Sequence, residues 1–417
     1  MTARLTGRGR GILGIGLAVW IVAWIFGSPV LAPAAAGLVL VVPLSWLWIR
    51  LTRRRMSAHR SWYAHRVVEG DDVRIELRVE PTSRIPLPVV VVRERIGRLG
   101  ERGVELRRVG GAYRGAYDLR RVPRGHHRFE PMRLSLSDPW GFAHATVEIA
   151  EVGALFVQPR LVALERLFSD AGSALAGDSR SSPRPGGGFD VHGVRQHEPG
   201  ESLRTVHWPS TARTGTLMVK EFDDSARDEI AVLLDGNEAG AAGVPPDSAF
   251  DAAVRAAGSI LLAHVRRRRR AVLVLNAAGT QTQTVAEGVE WDRTLALLAA
   301  AEPNARIPAA ALLADGADAA TRARELVVVT PHLAPALVSR LLERAGSRGP
   351  VAVVVVDAST FAGSPPDAQT EAQAIRLRAA GVAAAVLRYG DDLRHTLGTV
   401  PGTDTRVSRD MAGAVSA

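Results

Sequence analysis

The chain of 417 residues contains no cysteine, and a single lysine, Lys220, among its 52 basic residues. Without cysteine there is no disulfide, no iron–sulfur cluster, no thiolate zinc site and no cysteine nucleophile. A disulfide-stapled secreted domain is excluded with them. The sequence also lacks a Gly-rich phosphate loop, a zinc-ligand spacing and the Ser elbow of the α/β hydrolases. What is present is globular in composition, 47% apolar and 23% charged, which excludes wholesale disorder. The length suits two or three domains.

Acidic residues are missing from positions 1–55, which hold seven arginines: Arg4, Arg8, Arg10, Arg50, Arg53, Arg54 and Arg55. Taking those seven from the 52 basic residues leaves 45 against 43 acidic ones. The net charge of +9 therefore sits beside the most apolar part of the chain, and a nucleic-acid partner is not expected.

Charge is absent altogether from Gly11 to Ile49, a run of 39 positions. One helix of that length would measure ~58 Å, and a hydrocarbon core is only ~30 Å thick, so two crossings fit. Gly27-Ser28-Pro29 supplies the break. The pattern predicts helices over Gly11–Phe26 and Val30–Ile49, with Trp20, Trp24, Trp46 and Trp48 suited to helix ends. Arginines on both outer flanks place both termini in the cytoplasm, and the rest of the chain becomes a domain tethered to the inner (plasma) membrane. A signal peptide cleaved near Ala32-Pro33-Ala34 is the competing reading, but a second apolar helix and an Arg-rich stop follow directly.

From position 56 the period shifts to two. Val73 to Glu80 alternates apolar and charged residues, the mark of a strand with one wet face. Further strands are expected at Val89–Val92, Tyr113–Leu119, Met132–Leu136, Thr146–Ile149 and Leu155–Val157, giving an antiparallel sandwich or barrel over residues 56–168. Arg120 to His127 reads as a basic loop, and Ser137-Asp138-Pro139-Trp140-Gly141-Phe142 as a turn carrying two aromatics. His126 and His127 are neighbours on a strand, so their side chains diverge and do not share a metal. Residues 169–188 are rich in Ser, Gly, Pro and Ala and read as a linker.

The segment from Gly188 to Phe222 contains Arg195, Pro199-Gly200, Arg204, Trp208, Ala212-Arg213, Gly215, Leu217, Val219 and Lys220 at fixed intervals. This spacing resembles the signature of the domain of unknown function 58 (DUF 58) family. His197 and Glu201 stand where that family usually has Tyr and Asp, and Phe189-Asp190 is in reversed order. The resemblance implies a two-helix membrane anchor, a β-rich segment, and a C-terminal von Willebrand factor A-like domain. It also implies a partner of the MoxR class of AAA+ ATPases, often alongside transglutaminase-like membrane proteins. Read from the residues, Pro199-Gly200 is a tight turn. The cations can pair with Glu198, Glu201 and Glu221, bind an anion or dock a partner. His207 and Ser210 are three apart, but no third group completes a catalytic set.

Residues 228–400 alternate strand and helix. Strands are expected at Ile230–Leu234, Ala271–Asn276, Glu325–Thr330, Val351–Asp357 and Val382–Arg388. Helices are expected at Ser248–Val265, Trp291–Ala301, Pro335–Ala345 and Glu371–Ala380. Apolar runs separated by helices mean a mostly parallel sheet covered on both faces. Ligands of such sheets sit at the carboxyl ends of strands, where Asp235 lies. Domains of the implied kind that bind a divalent metal use Asp-x-Ser-x-Ser there; this chain has Asp235-Gly236-Asn237-Glu238-Ala239. Asp235 and Asn237 are the candidate ligands. One carboxylate and one amide make a thin oxygen shell for Mg²⁺, so no cofactor is expected, and Asp235 is read as capping a turn. Arg266–Arg270 reads as a solvated helix end, with anionic lipid or an acidic partner as the alternative.

The sequence thus divides into an Arg-flanked transmembrane hairpin (1–55), a β-rich domain (56–168), a linker with the signature (169–227), an α/β domain (228–400) and a tail (401–417). The expected function is a membrane-anchored, cytoplasm-facing, non-enzymatic interaction protein with a chaperone-like, assembly or envelope-stress role. The alternatives are a hydrolase with a site near Trp208, or a metal-dependent adhesion domain facing outward.

Overall fold

The computed structural model describes residues 3–52, 56–62, 66–81, 89–151, 153–168, 191–196, 206–222, 230–314, 319–347 and 349–398. The chain forms two compact units, Met1–Gln158 and Pro159–Ala417.

In the first unit, helix α1 spans Gly7–Ile25 and helix α2 Leu31–Thr52. Both are long and apolar enough to cross a membrane. α1 begins four residues before its predicted start because Thr6 caps it: the Thr6 hydroxyl oxygen accepts from the amide of Gly9 at 3.0 Å. Arg8 and Arg10 therefore lie in the first turn of α1, and Arg50 in the last turn of α2. The helices touch closely at Gly16, where an added Cβ would meet Leu38 and Val39 at 3.0–3.1 Å. Their outer faces stay bare, with Trp24 81% exposed, an arrangement suited to hydrocarbon and costly in water.

The same unit contains two sheets. The larger is antiparallel and ordered β1-β10-β9-β5-β6-β7-β4-β2. Its strands are β1 (Arg4–Leu5), β2 (Met56–Trp62), β4 (Val73–Pro81), β5 (Val89–Arg95), β6 (Glu101–Val109), β7 (Ala112–Leu119), β9 (Met132–Ser137) and β10 (Ala143–Ile149). The smaller is ordered β3-β11-β8, from β3 (Val67–Val68), β8 (Gly125–Phe129) and β11 (Gly153–Gln158). Ile75, Leu77 and Val79 of the large sheet share a core with Phe129, Leu155 and Val157 of the small one, while Arg74 and Arg78 face outward. The predicted strands are all present. Among the described residues five further strands escaped prediction: the two-residue β1 and β3, β2, the charged β6, and β8, which the sequence reads as the end of a basic loop. On β8 His126 is exposed and His127 buried, so the two rings diverge. The His127 ring is held below its ordinary pKa by burial, and its Nε2 lies 2.8 Å from the carbonyl of Pro123.

A buried ion pair lies against this core. Arg60 donates to Glu94 Oε1 at 2.6 Å, and the Tyr117 hydroxyl donates to Glu94 Oε2 at 2.6 Å. The guanidinium also lies 4.0 Å from the ring centroid of Phe129.

The sheet and the helices are joined. β1 runs antiparallel to β10, with Leu5 opposite Ala143, and leads straight into α1. Ile49 of α2 packs with Ala143 and Ala145 of β10. The indole of Trp46 donates to the carbonyl of Ala3 at 3.2 Å.

The second unit is built on a six-stranded sheet ordered β16-β15-β14-β17-β18-β19. Its strands are β14 (Ile230–Asp235), β15 (Ala271–Asn276), β16 (Thr280–Val285), β17 (Glu325–Thr330), β18 (Val351–Val356) and β19 (Ala383–Leu387). All pairs are parallel except β15 with β16, an antiparallel edge hairpin that the sequence reading missed. Alternate residues of the central strands enter two cores. Val232, Leu234, Val327 and Val329 belong to one, and Ala231, Leu233, Val328 and Val353 to the other. Helix α4 (Ala249–Arg266) covers the first face and begins with a capping box, Ser248 with Asp251. Helices α8 (Pro335–Ser347) and α10 (Ala368–Ala379) cover the second. Shorter or peripheral helices are α5 (Val289–Ala300), α6 (Ala309–Leu312), α7 (Ala319–Arg322), α9 (Ala358–Phe361) and α11 (Leu393–Gly398). Residues 159–168, which the sequence groups with the β-rich segment, pack here: Leu164, Leu167 and Phe168 join the core around α4. The signature contributes helix α3 (Trp208–Thr214) and the antiparallel pair β12 (Val191–Gln196) and β13 (Met218–Phe222).

Candidate functional site

The strand order reverses direction at β14, between β15 and β17, and in open sheets ligands bind beyond the carboxyl ends at such a point. Three polar side chains end the three central strands there. Asp235 closes β14 and is 2% exposed; Asn276 closes β15 and Thr330 closes β17, both buried. Asn276 Nδ2 donates to Asp235 Oδ1 at 2.9 Å and also to the carbonyl of Ile307 at 2.9 Å. Thr330 Oγ1 lies 2.9 Å from Asp235 Oδ2 and 2.9 Å from the carbonyl of His332, so its one proton serves one acceptor at a time. Burial raises the carboxyl pKa of Asp235 above its ordinary range, and the bonds from Thr330 and Asn276 offset part of that.

A cation fits this trio poorly. Both carboxylate oxygens of Asp235 already accept hydrogen bonds, and Asn237 Oδ1 accepts from the amide of Ala239 to cap the short 3₁₀ turn Glu238–Ala241. Asn276 Oδ1 is the orphaned buried acceptor, a single free oxygen where Mg²⁺ needs near-octahedral coordination. Among the described residues no group of three or more His, Asp or Glu is placed to hold a metal. The amide of Asn237 donates to Asp235, the local turn that the sequence suggests.

The neighbouring strand end repeats the motif. Asp357, just past β18 and buried, accepts from Ser359 Oγ at 2.5 Å and from the amide of Asp367 at 3.1 Å. Sequence reasoning singled out neither Asn276, Thr330 nor Asp357 as a site residue. Their positions at the last residue of a predicted apolar strand, or just past it, were the available signal.

The signature residues are only partly brought together. On the β12–β13 pair, Arg195 stands opposite Val219 and Lys220 opposite Val194. Pro199, Gly200 and Arg204 lie outside the described residues, as do Glu198 and Glu201. Trp208 opens α3 and is 64% exposed; Arg213 lies in its last turn, also exposed. Gly215 ends the helix at φ +71°, a left-handed cap where a side chain would be strained. His207 caps the start: its Nδ1 accepts from the amide of Ser210 at 3.3 Å and lies 2.8 Å from Ser210 Oγ. A hydroxyl and an imidazole are thus in contact, in a geometry set by helix capping. The arginine run ends α4 at the opposite, amino edge of the sheet: Arg267 donates to the carbonyl of Glu165 at 2.9 Å, and Arg269 lies 3.9 Å from Glu325.

Residues 193–362 match the model of a family described as "Protein of unknown function DUF58". A curated relative, the uncharacterized protein YeaD of Bacillus subtilis strain 168, is 25% identical over 221 residues. That alignment covers 48% of this chain and 50% of the relative, so the chain spans half the length of the protein it matches. Among solved structures, the CARDB domain of a Pyrococcus furiosus protein, crystallised with di-metal ions, is 14% identical, with coverage of 25% of this chain and 87% of that one and a TM-score of 0.17. The enterobactin esterase of Shigella flexneri is 11% identical, with coverage of 81% and 92% and a TM-score of 0.19. Likeness at that level assigns neither fold nor activity.

Proposed function

We propose, with the DUF58 match as premise, that the protein is a membrane-anchored, cytoplasm-facing interaction protein without catalytic activity. Its second unit is read as a von Willebrand factor A-like domain that offers its carboxyl edge to a MoxR-type AAA+ ATPase, in a chaperone-like, assembly or envelope-stress role. The observation that carries the reading is the helix pair: α1 and α2 are uncharged from Gly11 to Ile49, bare on their outer faces, and flanked by arginines at both ends. The strand order, with its antiparallel edge, supports the A-like reading of the second unit. The Asp235–Asn276–Thr330 trio, with both carboxylate oxygens hydrogen-bonded and only Asn276 Oδ1 free, speaks against the metal-dependent alternative.

Crosslinking in intact membranes, followed by identification of the attached protein, tests the partner. Recovery of a AAA+ ATPase is the expected result; attachment of unrelated proteins alone would sink it. Protease protection tests orientation: the two units should be cleaved in inverted vesicles and shielded in spheroplasts.

One observation favours a second reading. The contact of His207 Nδ1 with Ser210 Oγ at 2.8 Å is the pair a hydrolase would use, beside the exposed Trp208. Turnover of an ester or phosphate substrate that both Ser210→Ala and Arg213→Ala abolish would establish it.

A further inference from the structure

The turn between β9 and β10 is tied to the root of α1. Asp138 is buried and organises the turn: its Oδ1 accepts from the amide of Ala143 at 2.6 Å and its Oδ2 from the amide of Trp140 at 3.1 Å. The carbonyls of the turn then point at the helix start. The amide of Thr6 donates to the carbonyl of Phe142 at 2.9 Å, and the Thr6 hydroxyl donates to the carbonyl of Gly141 at 2.6 Å. Gly9 abuts the Phe142 carbonyl so closely that no Cβ fits between them. Trp140 projects from this turn 56% exposed, its indole stacked on Phe142 at 6.3 Å and 14°.

Charge then fixes depth. The uncharged part of α1 begins at Gly11, so Arg8 and Arg10 mark the headgroup level and the Thr6 cap lies about 7 Å outside Gly11, in the same layer. The Trp140 turn is hydrogen-bonded to Thr6. Arg8 and Arg10 in the same turn of α1, and Arg50 placed 5.0 Å over the Trp46 ring, supply cations at the same level. An exposed indole at this depth meets the environment that tryptophan prefers, apolar on its face and wet at its N–H.

We propose that Trp140 is an interfacial anchor. Its indole lies among the phospholipid headgroups of the leaflet entered by the Arg-rich ends of α1 and α2, and it holds the β-rich unit flush against the bilayer. The proposal rests on the reading of α1 and α2 as membrane-spanning.

The absence of cysteine makes every introduced thiol a unique label site. The full chain is reconstituted in phosphatidylethanolamine–phosphatidylglycerol vesicles with a nitroxide at Pro139→Cys, which leaves Trp140 intact. Two reference sites accompany it: Leu40→Cys on the exposed face of α2, and Glu101→Cys at the start of β6, at the far end of the strands. Collision with oxygen and with a water-soluble nickel complex reads the depth. The Leu40 site should be deep, the Glu101 site aqueous, and the Pro139 site at headgroup depth with much of its nickel accessibility lost. Adding Trp140→Ala should shift the Pro139 site towards the aqueous value, and Trp140→Tyr should restore it. If the Leu40 site is deep while the Pro139 site is as accessible to nickel as Glu101, the anchor is wrong and the spanning helices stand. If the Leu40 site is itself aqueous, the spanning reading fails and the anchor with it.

Discussion

Thr330 Oγ1 sits 2.9 Å from Asp235 Oδ2, closing a hydrogen bond between residues 95 positions apart at the place where the sheet changes winding direction. The burial of this carboxyl, partly offset by the bond, sets a pH dependence. Burial raises the carboxyl of Asp235 above its ordinary value of 3.8, so the folded chain holds that proton more tightly than the unfolded chain. From that value upward, this group's contribution to stability falls as pH rises. Asp235→Asn removes the titration and keeps the network, since its amide can donate to Thr330 while the Thr330 hydroxyl turns to His332. Unfolding midpoints in detergent, from about pH 4 to 7, should therefore shift in favour of Asp235→Asn as pH rises. A constant difference would refute the argument. Asp235→Leu strands two buried donors and should cost about 2–4 kcal/mol.

The Arg60–Glu94–Tyr117 cluster predicts a graded loss in the β-rich unit. Glu94→Ala leaves a buried guanidinium unpaired and should cost about 3–5 kcal/mol. Tyr117→Phe removes one donor to a charged acceptor and should cost about 1.5–3 kcal/mol. Burial and the neighbouring carboxylate push the Tyr117 hydroxyl well above its ordinary range, so its ultraviolet titration should appear only with unfolding. A tyrosine titration complete at its ordinary pH in the folded state would contradict this.

An exposed row crosses four strands: His59, Arg78, Arg114 and Arg107 stand side by side. Like charges directly opposite one another destabilise a sheet. Arg114→Glu places an acid between two arginines and should raise stability by about 0.5–1.5 kcal/mol, less at high salt. Equal or lower melting temperature at low salt would show that the row carries no repulsion.

Gly9 and Gly11 test the root of α1. A Cβ at position 9 runs into the Phe142 carbonyl, whereas nothing lies within 4 Å of one at position 11. Gly9→Ala should cost about 1–3 kcal/mol by forcing helix and turn apart. Gly11→Ala should be neutral or gain up to about 1 kcal/mol from helix propensity. Thermal scans of the two variants side by side decide it.

The sequence made the greasy and the regular parts legible. The uncharged run located α1 and α2, and the apolar runs of β14, β17 and β18 located the buried strands to within a residue. Strands with too few apolar positions were hidden: Glu101–Val109 has too few to show a period, and Thr280–Val285 is an edge whose alternation rests on threonine and glutamine. The two residues of β1 are too short for any pattern. Asp235 was found because it follows an apolar strand. Its partners, 41 and 95 positions away, are set by parallel register, which no local spacing encodes.

The pairing of β1 with β10 fixes an order of assembly. Thr6 meets Gly141 across 135 intervening steps of chain, and both hydrophobic coils lie between them. On the proposed reading of the two coils as membrane-spanning, the rim of the larger sheet closes only after the hairpin has been threaded, on the side from which the chain entered. On that reading a first coil inserted backwards would strand Arg4 and Leu5 across the bilayer from their partner strand, and the finished sheet would act as a lock on topology.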